Sequence, residues 1–114
     1  MERYTAFGLQ IDSGLALPEL CSGESSQGRV DVRILLNPVG DNPQAEIEAS
    51  AITIDRRQAE IALKQVGRFQ VVDGREIRLW PAPKLTESRL RLILLGPLVA
   101  ILLYQRGSLV LHAS

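Results

Sequence analysis

Cysteine and histidine are almost missing from this sequence: Cys21 and His112 are the only ones in 114 residues. A single cysteine excludes an internal disulfide and any zinc site built on several thiolates. A single histidine with no nearby Cys or carboxylate motif makes a poor metal ligand set. Net charge is also missing, with 13 Lys and Arg against 13 Asp and Glu. That balance argues against a general nucleic-acid binder and against a polybasic membrane-surface protein. The chain does not begin with basic residues followed by an apolar run, so it predicts no secretory signal peptide, and a reducing cytoplasm is the simplest compartment. What the sequence does have is apolar content, at 46%, which is too much for an intrinsically disordered chain. The length allows one small domain that buries about two thirds of its unfolded surface.

The two ends of the chain differ. Residues 1–84 carry 22 of the 26 charges, whereas residues 85–114 carry only Glu87, Arg89, Arg91 and Arg106 but hold ten of the 18 leucines. The front is a polar, turn-rich region. Tyr4 to Ile11 reads as a first strand, Leu17 to Leu20 as a bend around Pro18, and Ser22 to Gly28 as a solvated loop. Val30 to Leu36 alternates as a second strand, and Asn37 to Pro43 is a loop. Residues 51–66 are ambiguous. Ile52-Thr53-Ile54 favours a strand, while Asp55 with Gln58 three residues on fits a helix cap, with Ala59, Leu63 and Val66 on one helical face. Arg68 to Val72, Asp73-Gly74 and Arg75 to Trp80 predict a β-hairpin, because Asp-Gly suits a turn with positive φ at both central positions. Phe69 and Val71 then share a face, as do Ile77 and Leu79, and Pro81 and Pro83 end the strand.

Residues 90–104 read LRLILLGPLVAILLY, in which ten residues are Leu, Ile or Val. The pattern predicts a helix from Glu87 to Arg106, started by Thr86 or Ser88, closed by Gly107 and kinked at Gly96-Pro97. The run from Leu92 to Tyr104 is 13 residues, short of the roughly 18 that a membrane span needs, so a buried core helix is expected. Leu92 to Leu95 are consecutive and apolar, which predicts a helix that must be covered on all sides. The first 84 residues look too few to wrap it, which predicts a further covering surface and self-association of the isolated chain. Ser108 to Ser114 reads as a strand that is apolar on both faces, of the kind found in the middle of an α/β sheet.

The fold class expected from these residues is α+β: a mainly antiparallel sheet over residues 1–84, a long apolar core helix over 85–107, and a last strand over 108–114. Three stretches, "YTAFGLQIDSGLALPEL", "VGRFQVVDGREIRLWP" and above all "LRLILLGPLVAILLYQRGSLVLHAS", resemble the front of bacterial HPr kinase/phosphorylase-like proteins, in particular the branch of HPr-related serine kinases. The resemblance spans essentially the whole chain and is most specific in the last 25 residues; positions 37–66 carry none of it. It implies an ATP- and magnesium-dependent serine kinase, a transferase acting on a small phosphoacceptor protein or peptide. In such kinases this segment leads into a phosphate-binding loop of the form GxxxxGK[ST], so the resemblance makes residues 108–114 the first strand of an incomplete P-loop-type nucleotide-binding domain. No such loop occurs here, and Lys64 and Lys84 lie outside any glycine-rich run. The chain therefore looks like such a kinase cut upstream of its catalytic residues. No catalytic, cofactor-binding or metal residue is assigned, and neither ATP nor magnesium is expected to bind this chain. The expected partners are a carboxy-terminal kinase domain or a separately encoded chain, and further copies in a homo-oligomer. The alternative is an interaction module, stand-alone or from a split gene, that docks on a partner chain.

The remaining chemistry-bearing residues have plain structural readings. His112, between Leu111 and Ala113, reads as structural. Cys21 lies 91 positions from the only histidine, so it has no evident base. Asp31, Asp55, Asp73, Glu46, Glu48 and Glu60 show no spacing that suggests a pocket. Arg56-Arg57 reads as a solvated face, and Trp80 as a packing residue at a sheet edge.

Overall fold

The computed structural model describes residues 2–22, 29–37 and 49–107. The expected strand over residues 108–114, with His112, lies outside them, as do Glu46, Glu48 and most of the loops at 22–28 and 37–43. Eight strands form one sheet: β1 (Glu2–Ala6), β2 (Leu9–Ser13), β3 (Cys21–Ser22), β4 (Val32–Leu36), β5 (Ala51–Ile54), β6 (Gln58–Leu63), β7 (Gly67–Val72) and β8 (Glu76–Pro81). Their spatial order is β3-β1-β2-β4-β8-β7-β6-β5. The sheet is mixed. β4 runs parallel to both neighbours, β2 and β8, while the other pairs are antiparallel. An antiparallel hairpin group, β5 to β8, and a smaller one, β1 to β3, therefore meet at one parallel seam.

The expected first strand, Tyr4 to Ile11, is instead a hairpin. Phe7 and Gly8 both have positive φ (56° and 74°), and Ala6 pairs with Leu9. Phe7 hides the turn in the sequence, because a bulky residue rarely adopts that backbone region. Residues 51–66 form the β5–β6 hairpin, which removes the helical alternative. The Asp55 carboxylate does cap backbone N–H groups, those of Arg57 and Gln58, each at 2.8 Å, but here it shapes a turn between strands. The β7–β8 hairpin follows expectation. Asp73 and Gly74 have φ of 53° and 63°, the Arg75 N–H closes on the Val72 carbonyl at 2.9 Å, and Phe69 faces Leu79 as Val71 faces Ile77. All four are fully buried.

One helical segment follows: α1 (Glu87–Ile93), a π-helical turn (Leu94–Leu98) and α2 (Val99–Gln105). Thr86 is its N-cap, with its hydroxyl accepting the Arg89 N–H at 3.3 Å. Pro97 falls inside the π turn, where the Val99 N–H reaches back to Leu94. Widening the turn is how the helix continues past a residue that lacks an N–H donor. The helix is not covered on all sides. Leu90, Leu94, Leu98, Ile101 and Leu102 pack into the core with Phe69, Val71, Ile77 and Leu79, whereas Leu92 is 71% exposed. The consecutive leucines divide between a sheet-facing stripe and a flank, so no complete wrapping is needed. Each fully buried aliphatic side chain in the stripe contributes about 1.5–3 kcal/mol of gross transfer free energy. Leu15 and Leu17, in the turn-rich connection after β2, complete the core beside Tyr4, Leu9 and Ile11. No helix among the described residues is long and apolar enough to cross a membrane.

The other face of the sheet carries charge. Arg3, Asp12, Arg33 and Glu76 stand side by side across β1, β2, β4 and β8. Arg3 pairs with Asp12 at 2.6 Å, and Glu60 pairs with Arg68. Trp80 lies on this face opposite Arg68. It belongs to an interior strand, not to a sheet edge as the sequence suggested.

Candidate functional site

The carboxylates singled out from the sequence do not converge. Asp31 accepts the Gln10 N–H at 2.9 Å and lies 3.5 Å from Arg29, holding the parallel β2–β4 seam. Asp55 serves its turn, and the N–H groups of Gln58 and Arg57 that it accepts hold its carboxyl below the ordinary range. Asp73 is a turn residue whose N–H donates to the Arg57 carbonyl at 2.7 Å. Glu60 is taken by Arg68. Cys21 lies in β3, opposite Thr5. No group of three or more His, Cys, Asp or Glu that could hold a metal occurs among the described residues.

Shallow clefts open on the surface formed by the described residues. One, of about 680 Å³, is lined by Gln65, Val66, Pro83, Lys84, Leu85 and Arg89, among others. A second, about 380 Å³, lies between Tyr4 and the helix start, with Glu87 and Arg91 on its wall. A third, about 260 Å³, lies beside Arg33, Arg75 and Glu76. In the second, the Tyr4 hydroxyl donates to Glu2 and accepts the Leu17 N–H at 2.9 Å. The bond to the Glu2 carboxylate raises the phenol pKa, against a smaller lowering from Leu17.

The densest polar constellation lies where the helix ends. The Gln105 side chain accepts the Gly74 N–H at 2.8 Å and donates to the carbonyls of Val71 at 3.0 Å and Asp55 at 3.4 Å. Arg106 donates to the Gly74 carbonyl at 2.7 Å. The Arg56 guanidinium lies 5.9 Å from the centre of the Tyr104 ring, within cation–π range. Gly107 then turns with φ of 75°, the left-handed conformation that ends many helices. One amide thus joins the helix to both hairpin turns, which are also bonded to each other through Asp73 and Arg57. The sequence reading marked Arg106 and Gly107 as helix-end residues but gave Gln105 no role, since its partners lie 31, 34 and 50 positions away. At the other end, Arg91 pairs with Glu19 at 3.0 Å and Glu87 at 3.4 Å. The Glu19 carboxyl is held below its ordinary range, first by its own backbone N–H and then by Arg91.

This arrangement fastens the end of the helix to the β5–β6 and β7–β8 turns. Lys64 lies in the β6–β7 turn and Lys84 in the connection from β8 to the helix, and neither belongs to a glycine-rich cradle of backbone amides suited to phosphate. No protein-family model, curated protein or solved structure matches this chain.

Proposed function

We propose that this domain is the non-catalytic amino-terminal scaffold of a serine kinase of the HPr kinase/phosphorylase-like kind. In this reading phosphoryl transfer from ATP to a serine of a small protein or peptide belongs to a P-loop domain beyond it, in the cytoplasm, and this chain alone does not phosphorylate. The reading rests on the sequence resemblance of residues 90–114. The observation that supports it best is the fastening at Gln105, Arg106 and Gly107. A kinase whose phosphate loop follows within a few residues needs that exit point held fixed relative to the rest of the fold, because small displacements of a reacting group cost rate steeply. The second reading, an interaction module that docks on another chain, draws on the edge strand β5, which no other strand pairs on its outer side among the described residues.

Two measurements test the scaffold reading. The messenger sequence beyond codon 114 is expected to encode GxxxxGK[ST] after the last strand, in the same frame or in an adjoining gene. Its absence from both overturns the reading. Magnesium-ATP is expected to leave the melting temperature of this chain unchanged. A saturable rise of several degrees would place a nucleotide site here and overturn it as well.

A further inference from the structure

β5 ends the sheet, and among the described residues no strand lies on its outer side. All four of its residues, Ala51-Ile52-Thr53-Ile54, are exposed. It contains no charge, no proline and no bulge, the devices that usually protect an edge. Across the β5–β6 turn the Asp55 N–H bonds to the Gln58 carbonyl. Antiparallel ladders alternate, so Thr53 and Ala51 bond inward to β6 while the N–H and C=O groups of Ile52 and Ile54 point outward. The same two residues expose their side chains, by 60% and 44%. Ile52 stands in line with Ile61, Phe69 and Leu79, and Ile54 with Ala59, Val71 and Ile77. They extend the core face past the helix, which lies over β7.

We infer that β5 is a self-docking edge, where two copies of this chain pair β5 to β5 in antiparallel fashion about a two-fold axis at Thr53. In this register Ile52 of each copy exchanges both backbone bonds with Ile54 of the other, which satisfies four donors and four acceptors. The four isoleucines gather on the core face. The two Thr53 side chains meet directly on the opposite face, a favourable cross-strand pair. Charge fits this register. Asp55, just past the end of β5, and Lys64, in the turn after β6 with its N–H bonded to Ser50, sit at opposite ends of the strand pair, so Asp55 of each copy lies towards Lys64 of the other, with one carboxylate oxygen already accepting the Arg57 and Gln58 N–H groups and the other left to meet it. Arg56 and Arg57 of the two copies lie far apart, at the two ends of the joint. An isologous contact of this kind closes on itself and stops at a dimer. The inference does not depend on the kinase reading.

Sedimentation equilibrium of the full chain over roughly 10–500 µM tests it, covering the micromolar affinities typical of small transient interfaces. The mass is expected to climb from 12.6 kDa towards twice that. Ile52→Lys with Ile54→Lys is expected to weaken association at least about tenfold, with the melting temperature of dilute protein little changed because both side chains are exposed. Should that pair of changes unfold the chain, Ile52→Lys alone carries the comparison. In a Cys21→Ser background, Thr53→Cys is expected to form a disulfide-linked dimer under mild oxidation, and Ala51→Cys to remain unlinked, because position 51 faces 55 and not itself. A monomer throughout the range overturns the inference, as does a dimer indifferent to the lysines or one that cross-links through position 51 and not 53.

Discussion

The two ends of the helix are fastened by different chemistry. At its start, Arg91 reaches Glu19 and Glu87 through exposed ion pairs. At its end, a neutral amide, Gln105, bonds only to backbone atoms, and Arg106 does the same. An exposed ion pair is screened by salt and tolerates many geometries, so it holds loosely. Backbone carbonyls and N–H groups are themselves fixed by the sheet, so an amide that meets three of them has one place to be. The start of the helix is tethered; its end is located.

The largest effect is expected at the located end. Gln105→Ala leaves the Gly74 N–H and the Val71 carbonyl without their partner and is expected to cost about 1–3 kcal/mol, read as a lower urea midpoint with an unchanged slope. Gly74→Ala is next. It places a Cβ 2.6 Å from Cγ of Arg106 at φ of 63°, and the left-handed backbone alone is expected to cost about 1–2 kcal/mol. Amide exchange in residues 102–106 should rise with it, since the Arg106 side chain must move. The smallest effect belongs to Arg91→Ala, a melting shift within about 2 °C that fades in high salt. It should also fade in acid. The folded pKa of Glu19 is lowered, so its contribution is present above the unfolded pKa and is lost as pH falls through the lowered folded value. If Gln105→Ala costs no more than Arg91→Ala, the contrast between the two ends fails.

Local chemistry was legible in the sequence, and distant pairing was not. The Asp73-Gly74 turn, the alternation of Val32 and Ile34, the Thr86 cap and the helix bounds all follow from neighbours in the chain. Residues 51–66 stayed open because an aspartate accepting N–H groups two and three residues on looks the same before a strand as before a helix. The first hairpin was missed because Phe7 sits where Gly or Asn would have announced a turn. The parallel seam at β4 carries no local mark, since the partners of Ile34 and Leu36 lie at Ile77 and Leu79. Gln105 looked like any polar residue at a helix end, and only the fold shows that three distant carbonyl and N–H groups meet there.

The π turn around Pro97 acts on Gln105 as a phase setting. A regular α-helix advances about 100° and about 1.5 Å per residue. Residues 94–98 use one more residue per hydrogen-bonded loop than the turns around them, so everything after Leu98 arrives rotated relative to an uninterrupted helix. With Leu90 and Leu94 already seated on the sheet, that rotation decides which side chain at the end faces the hairpin tips. Straightening residues 94–98 into an ordinary α-helix without removing a residue would swing Gln105 by about a quarter turn away from Gly74, whereas deleting Gly96 or Pro97 takes out the extra residue and leaves Gln105 in phase. The angular position of Gln105 is thus encoded at the middle of the helix, eight residues before it, at Pro97.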